Sequence, residues 1–431
     1  MLKIGVDSVT ERIRYVFDII EQFRSVSFDL VEIKSEDSHA DLYVYSTQKS
    51  VAQKGLRAAS LLYNEEIQKC DAVIAGFGNE KCLRFDGIAD PLAAIFYHLT
   101  RMEEYDLKPE DLDIHGRFQS KNSFVFQFQL PFQLLAERWI DAFLLDFQQQ
   151  TGQKISTEKQ LLKFFPTFDI DNTFAFKWKP FPRILGSFTK DFIHFDFERL
   201  KAKIKTLLNL QRDPYDTFDK ISDWSQKADK IQLFWLLGDL TKYDRNVPNT
   251  SKKQHAFIQQ LAQRLPIGLH PSYGSNTSLQ QLQKEKSILE TAEKQTVTRS
   301  RQHFLRLHFP ETYQRNILVG MAHDFTMGFG DQVGFRAGTL RSYPFFDLTK
   351  NEVFDYWIHP FAYMDGTLKE YQKLSLDESK RVIDKLVEEA AKFGGDFCII
   401  WHNETISEWH NWKNWSSLIS YTQQKIHEVQ N

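Results

Sequence analysis

The chain has 431 residues, of which 42% are hydrophobic and 14% aromatic, and this composition excludes an intrinsically disordered protein. Its 54 Lys and Arg residues are nearly balanced by 57 Asp and Glu residues, and the net charge of -3 excludes a general electrostatic attraction to nucleic acid or to an anionic membrane. Any partner must therefore be recognised by a local feature. The length suits a main domain of about 250 residues with a smaller one beside it.

The N-terminal segment and the cysteines bear on the cellular compartment. Residues 1–23 mix acidic and basic side chains with apolar ones and lack the h-region of a secretory signal, which predicts a cytoplasmic protein. No uninterrupted apolar run approaches about 18 residues, so no membrane-spanning helix is expected. Cys70, Cys82 and Cys398 form no CxxC pair and are odd in number, which argues against a disulfide framework and against a cysteine-built zinc site.

The first 150 residues predict a smaller domain of mixed helices and strands. One segment, Pro91–Asp106, has apolar residues at helical spacing. Three others have the pattern of short strands: Leu42–Ser46, Ala72–Gly78 and the Phe-rich Phe124–Leu130. The segment Asp113–Ser123 gathers Asp, His, Arg and Ser side chains, but a polar turn before the Phe-rich strand explains it, and we expect it to lie outside the second domain.

A polar segment, Gln148–Gln160, has no apolar periodicity and has the composition of a linker. It predicts a boundary between an N-terminal mixed α/β accessory domain over residues 1–150 and a second domain over residues 161–431. No period of about 20–50 residues recurs, which excludes a solenoid or a propeller.

Beyond the linker, short apolar runs alternate with amphipathic stretches of helical length, which is typical of parallel strands joined by helical crossovers. The runs are Leu161–Asp171, Lys230–Asp239, Leu265–His270, Val297–Leu307, Ile317–Phe325 and Asp396–Glu404. Their ionisable end residues include Asp169, Asp171, Asp239, His270 and His402. In a barrel of parallel strands the carboxyl ends share one face, where such folds keep their active sites. We therefore predict an α/β fold with a distorted (β/α) barrel; a doubly wound open sheet is the alternative.

The segment Thr167–Asn172, with the sequence TFDIDN, carries two carboxylates. On an extended strand Asp169 and Asp171 share a face with Cα atoms about 7 Å apart, so both can address one small site. One can hold a metal ion while the other takes a proton from water. The alternative is that both acids cap the following loop or helix.

Two histidines follow apolar strands in the same way. His270, before the turn residues of Ile267–Asn276, suits a divalent ion as a neutral imidazole, or it forms a hydrogen bond with a loop carbonyl. His402 emerges from a buried strand and can act as a general acid towards a leaving amine, since its ordinary pKa is near neutrality. Its alternative is a histidine packed in the core beside Trp401.

These motifs, in this order, resemble the polysaccharide deacetylase superfamily, which has the NodB homology domain and is similar to carbohydrate esterase family 4. The likeness covers about Phe164 to His402 and, with GFRAGT and DPYDTFD, looks like a bacterial branch with an added N-terminal domain. In that family a T-F-D-D-G motif supplies a base and then a metal ligand. The resemblance therefore implies that Asp169 is the base, Asp171 and His270 are metal ligands, and His402 is the catalytic acid.

The chain departs from the family pattern at Gly274, which stands where the second metal-binding histidine is expected. A zinc site normally has three protein ligands and an open position. We take His303 as the replacement, because it lies near the end of the next strand beside Arg301, where the family's wall arginine falls. The alternative is that His303 is a surface or packing residue.

Two further residues compete for supporting roles. Arg336 is a rival for the arginine role, because Gly334 precedes and Gly338 follows it closely and would let the backbone turn sharply; it can equally form a structural salt bridge. Asp324 can orient Arg301 or a ligand histidine, or it can cap a helix, as Thr326 nearby suggests.

The resemblance implies a metal-dependent hydrolase that removes an N-acetyl group from an amino sugar or an amino-sugar-containing glycan. The ion is expected to be divalent, zinc first, with cobalt or manganese as alternatives. A catalytically inactive deacetylase-fold protein that binds a glycan or a glycan precursor is the second hypothesis, because of Gly274. A glycoside hydrolase fits less well, since its two carboxylates usually face each other across the sugar. No nucleic acid partner is expected, and no protein partner can be inferred.

Overall fold

The computed structural model describes residues 1–33, 42–50, 53–157 and 160–430. The N-terminal part contains β1 (Leu2–Val6), α1 (Glu11–Arg24), β2 (Phe28–Glu32), β3 (Tyr43–Ser46), β4 (Gly55–Arg57), β5 (Ile74–Phe77), β6 (Glu80–Phe85), β7 (Ile88–Ala89), α2 (Pro91–Leu99), α3 (Phe124–Gln127) and α4 (Leu135–Thr151). A parallel sheet has the order β2-β1-β3-β4, and an antiparallel sheet has the order β5-β6-β7. The strands predicted at Leu42–Ser46 and Ala72–Gly78 are confirmed as β3 and β5.

The helix predicted at Pro91–Asp106 is confirmed as α2, although it ends at Leu99. Pro91 occupies its first turn, and the Asp90 carboxylate accepts hydrogen bonds from two amides of that turn.

The strand predicted at Phe124–Leu130 is wrong, because α3 occupies the start of that segment. The Glu103 carboxylate accepts a hydrogen bond from Phe124 N at 2.9 Å, and Ser123 Oγ accepts one from Val125 N at 3.4 Å. Side chains thus satisfy the first amides of a helix. Glu103 is distant in sequence, so the alternation of Phe and Gln alone does not reveal this contact.

The second part of the chain forms one nine-stranded sheet with helices around it. Its strands are β8 (Leu162–Ile170), β9 (Gln232–Leu236), β10 (Ile267–His270), β11 (Arg299–Ser300), β12 (His323–Asp324), β13 (Tyr343–Asp347), β14 (Glu352–Ile358), β15 (Tyr363–Met364) and β16 (Gly395–His402). Its helices are α5 (Phe181–Ile193), α6 (Phe197–Leu207), α7 (Phe218–Ser225), α8 (Lys252–Ala262), α9 (Leu279–Glu293), α10 (Glu311–Leu318), α11 (Leu376–Phe393) and α12 (Ser417–Gln430). All six apolar runs predicted as strands contain one.

The sheet has the order β13-β14-β12-β11-β10-β9-β8-β16-β15, and only the pair β13–β14 is antiparallel. Phe165 on β8 and Phe325 after β12 pack with ring centroids 5.9 Å apart, although three strands separate β8 from β12. Phe361 N donates to Met327 O at 3.0 Å and joins the segment before β15 to the segment after β12. The sheet therefore curls into a barrel that stays open between β13 and β15, and the predicted α/β class with a distorted barrel is confirmed.

The N-terminal part packs on the barrel through buried contacts. The rings of Tyr15 and Phe346 lie 5.2 Å apart, and the Glu104 carboxylate forms ion pairs with both Arg101 and Arg336. The domain boundary within Gln148–Gln160 stays a prediction, and residues 158 and 159 lie outside the described residues. None of the helices in the described ranges has both the length and the apolarity needed to cross a membrane.

Candidate active site

The carboxyl end of β8 carries both predicted acids. Asp169 is in register with His402 on β16, so these two residues are cross-strand neighbours. His270, at the end of β10, places its Nε2 atom 3.8 Å from an Asp169 oxygen and 3.2 Å from an Asp171 oxygen. Both carboxylates therefore face one site, as the spacing of TFDIDN predicts.

Asp171, His270 and His303 form a cluster suited to a metal ion. His303 Nε2 lies 3.4 Å from Asp171 Oδ2, and the three candidate ligand atoms lie within 4.8 Å of one another. Asp171 Oδ1 is buried without a hydrogen-bond partner among the described residues, which fits an oxygen reserved for a cation. One carboxylate and two imidazoles are a donor set that zinc accepts with a fourth position left for water or substrate.

Each of the two histidines in the cluster is oriented by a hydrogen bond from its Nδ1 atom. His270 Nδ1 donates to the Arg301 carbonyl at 2.5 Å, and His303 Nδ1 donates to Asp244 Oδ1 at 2.9 Å. Such bonds fix the tautomer and leave each Nε2 atom free to act as a ligand. Asp244 lies in the loop after β9, where no strand pattern pointed to it, and sequence analysis did not identify it.

The electrostatics of the cluster also favour a bound cation. Burial would raise the pKa of Asp171, but His303 and His270 outweigh burial and hold that pKa well below its ordinary value. Burial would lower the pKa of His303, but Asp171 and Asp244 raise it to about 9. The carboxylates thus draw positive charge into the cluster, and a divalent cation would supply that charge.

Arg301 holds Asp169 from inside the barrel. Arg301 is fully buried, and its Nη1 atom donates to Asp169 Oδ1 at 2.8 Å. Its Nε atom donates to the Phe325 carbonyl at 2.9 Å, and its guanidinium lies 4.5 Å from the centroid of the Phe234 ring. These contacts allow little freedom to either partner, so the second oxygen of Asp169 stays directed towards the cluster.

His402 is held by a carboxylate that sequence analysis missed. Asp365, directly after the short strand β15, accepts from His402 Nδ1 at 2.9 Å, and Thr405 Oγ1 donates to the same carboxylate at 2.5 Å. His402 Nε2 lies 3.9 Å from Asp171 Oδ2. Burial would lower the pKa of His402, but Asp365 and Asp171 hold it well above its ordinary value. The arrangement favours an imidazolium whose Nε2 proton faces the cluster.

Other residues singled out in the sequence lie elsewhere. The structure does not bring Arg336 to the cluster, because its guanidinium is buried against the Glu104 carboxylate and the Gly328 carbonyl. Asp324 accepts hydrogen bonds from Thr326 N and Oγ1, but no helix directly follows it among the described residues, so it closes a local turn and the predicted helix-capping role is wrong. Asp239 is exposed and pairs with Lys284.

Gly274 is the position where the family pattern expects a metal-binding histidine. It begins a short 3₁₀ turn, and a Cβ atom built there would meet nothing within 4 Å. Packing therefore does not require glycine at this position. His303, from the next strand end, contributes the third donor atom of the cluster instead.

The segment Asp113–Ser123 reaches the mouth of the barrel, contrary to the expectation that it lies outside. It does contain the predicted turn, closed by the bond from Asp113 N to Arg117 O. Arg117 Nη1 donates to the Phe304 carbonyl at 3.2 Å, and the His115 ring lies 4.7 Å from the Phe304 ring. Arg117 also lines a cleft of about 130 Å³ with the clustered acids and histidines. The N-terminal part thus contributes to the walls of the site.

Comparisons with known proteins bear mainly on the N-terminal part. Residues 2–152 match DUF7033, a family of unknown function. This match covers about a third of the chain and includes none of the clustered acids and histidines. No curated protein matches the chain.

Three solved structures are similar to the chain over about two thirds of its length. A protein assigned as a polysaccharide deacetylase from Mycobacterium smegmatis is 11% identical over 64% of this chain and 86% of that one, with a TM-score of 0.38. A mutant of a carbohydrate esterase family 4 pseudoenzyme with restored activity is 11% identical over 63% and 64%, with a TM-score of 0.29. The family 4 domain of a multidomain xylanase from the hindgut metagenome of Trinervitermes trinervoides is 12% identical over 63% and 84%, with a TM-score of 0.25. At such identities and TM-scores, the similarities establish neither a shared family nor a shared activity.

Proposed function

We propose that the chain is a metal-dependent hydrolase that removes an N-acetyl group from an amino sugar or an amino-sugar-containing glycan. One observation carries the proposal: the Asp171–His270–His303 cluster lies between a carboxylate held by an arginine and an imidazole held by a second carboxylate. Amide hydrolysis needs a base for water, an electrophile for the carbonyl and an acid for the amine. The cytoplasmic location and the bacterial origin stay predictions.

The residues divide the reaction between them. A divalent cation bound to Asp171, His270 and His303, zinc being the best match, would polarise the acetyl carbonyl and make water more acidic. Asp169 accepts the proton of the attacking water while Arg301 keeps its carboxylate in place. A carbon–oxygen bond forms to the acetyl carbon.

The leaving group then needs a proton. His402 holds one at Nε2, because Asp365 accepts the hydrogen bond from Nδ1. When the carbon–nitrogen bond breaks, His402 gives this proton to the departing amine, and acetate and a free amino sugar result.

Two alternatives are weaker. In a glycoside hydrolase the two carboxylates face each other across the sugar, whereas the Asp171 oxygens are directed towards His270 and His303. An inactive glycan-binding protein would not need Asp169 and His402 held beside the three candidate metal ligands. Measurement of metal content, followed by an activity assay, distinguishes such a protein from an enzyme.

The test is metal content per chain by mass spectrometry, on protein purified without chelator and then incubated with zinc, cobalt or manganese. We expect about one ion in the wild type and in His308→Ala, and a loss in His303→Ala. His308 is the matched control because its ring contacts the Gly116 carbonyl and not the cluster. Absence of metal from wild type after incubation would contradict the proposal and favour the glycan-binding alternative.

A second measurement tests turnover in the metal-loaded protein. Acetate release from N-acetylglucosamine oligomers and from uridine diphosphate N-acetylglucosamine is compared for wild type and Asp169→Asn. We expect the variant to keep its metal and to lose activity by about a thousandfold. Full activity in Asp169→Asn would contradict the assignment of the base.

A further inference from the structure

A large cavity adjoins the metal cluster on the side of helices α5 and α6. Its volume is about 770 Å³, and Asp171 and His303 form part of its wall. Six lysine or arginine side chains also line it: Lys179, Arg183, Lys190, Arg199, Lys203 and Arg245. The carboxylates in its lining are Asp171 and Glu404. The cavity is therefore cationic, in a chain whose net charge is -3.

Part of this positive charge has no carboxylate to neutralise it. Arg199 and Lys203 share the Asp191 carboxylate. Lys179, Arg183 and Arg245 form no ion pair with any described residue. Lys179 instead donates to Asn172 Oδ1 at 2.9 Å and to the Arg245 carbonyl at 3.0 Å.

The cations at the cavity wall also repel one another. Burial and the nearby Arg183 lower the pKa of Lys179 to about 7, outweighing the carboxylates of Asp213 and Glu404, which raise it. Burial and Arg245 lower the pKa of Arg183. A protein gains nothing in stability from gathering like charges at a cavity wall. Such a wall is favourable when an anion occupies the cavity, because charged hydrogen bonds to phosphate oxygens are strong.

We propose that this cavity binds the phosphate or diphosphate group of the substrate, whose acetamido group reaches Asp171 and His303 in the adjoining cluster. The inference deepens the proposed function and rests on it for the sugar, but anion binding itself does not require turnover. A neutral polysaccharide would leave the positive charges of Arg183 and Arg245 without an anionic partner. The chemistry therefore indicates an activated sugar, linked through phosphate to a nucleoside or to a lipid.

The test measures binding of inorganic pyrophosphate by titration calorimetry, with metal-free protein so that the cluster does not capture the anion. We expect wild type to bind, and Arg183→Gln and Arg245→Gln to bind at least about tenfold more weakly. Lys205→Gln is the matched control, since Lys205 is an exposed cation on α6 that does not line the cavity. Absence of binding by wild type, or an equal loss in the control, overturns the proposal. Because no metal is present, this result does not depend on catalysis.

Two further ligands distinguish the sources of the phosphate. Uridine diphosphate N-acetylglucosamine and farnesyl diphosphate-linked N-acetylglucosamine are compared with neutral chitobiose. Tighter binding of either phosphorylated compound supports the proposal and names its source, provided Arg183→Gln removes the preference. Chitobiose binding as tightly as both compounds overturns it, even if deacetylation is found.

Discussion

Arg301 Nη1 donates to Asp169 Oδ1 at 2.8 Å, although Arg301 follows β11 and Asp169 lies on β8, three positions along the sheet. Curling of the sheet makes this contact possible. It fixes the carboxylate that the proposed reaction uses as its base, and it takes place inside the barrel, where water does not compete for the bond.

Arg301→Met should reduce kcat by about 10–100-fold, because a charged hydrogen bond contributes about 1.5–3 kcal/mol and about 1.4 kcal/mol changes a rate tenfold. Metal content should remain at the wild-type level, since Arg301 holds His270 only through its backbone carbonyl. Steady-state kinetics and metal analysis on the same preparation check this. The kcat of Arg301→Lys should lie between those of wild type and Arg301→Met. Loss of metal from either variant would show that Arg301 acts by holding the metal ligands in place.

Arg336→Met should destabilise the fold without changing the chemistry. Arg336 is buried and pairs with Glu104, so its removal leaves part of a buried negative charge unmatched, at a cost of about 3 kcal/mol. Urea unfolding measures the loss, and metal content and KM should stay unchanged. Unaltered stability together with a rise in KM would instead show that Arg336 contributes to substrate binding.

The parts of the fold that the sequence predicts best are the strands buried on both faces. The β8, β9 and β16 segments are near-continuous apolar runs, which is the pattern of central parallel strands. The pair β13–β14 was not predicted because Glu352 and Asp355 interrupt its apolar pattern on an exposed face. Strand β15 has two residues, Tyr363 and Met364, too few for any periodicity.

The absence of an apolar pattern in short segments also limits what the sequence predicts of the site. Asp169, Asp171 and His270 end strong strands, and Asp171, His270 and His303 do lie together in the structure. The residues that orient them come from segments without such a signal. Asp244 lies in a loop and Asp365 follows the two-residue strand β15, so only the folded barrel brings them behind the histidines.

Asp365→Asn should shift the pH dependence of kcat. In the proposed reaction His402 must be protonated, so activity falls as pH rises through its pKa. Burial alone would lower that pKa, and Asp365 is the main group that raises it. Loss of the Asp365 charge should therefore move the alkaline limb to lower pH by about 1–2 units. The measurement is kcat against pH in the zinc-loaded protein, with the exposed Asp239→Asn as control. An alkaline limb that stays in place would exclude His402 as the acid or Asp365 as its partner.

Glu293→Gln should change how stability depends on pH. Burial, and then Glu290, raise the pKa of Glu293 from 4.5 to about 7, and its Oε1 atom is buried without a partner among the described residues. The folded state therefore holds this proton more tightly than the unfolded state, so the free energy of unfolding falls as pH rises from about 4.5 to about 7. The glutamine of the variant does not titrate, so its free energy of unfolding does not fall for this reason.

Between pH 5 and pH 8 the stability of Glu293→Gln relative to wild type should therefore rise by about 1–2 kcal/mol. Comparing the two pH values removes any pH-independent cost of placing an amide at this position. Urea unfolding at both values provides the measurement, and Glu388→Gln, an exposed change on α11, should show no such rise. A relative stability that is constant or falls with pH would mean that Glu293 is ionised in the folded protein throughout, held by a contact with water.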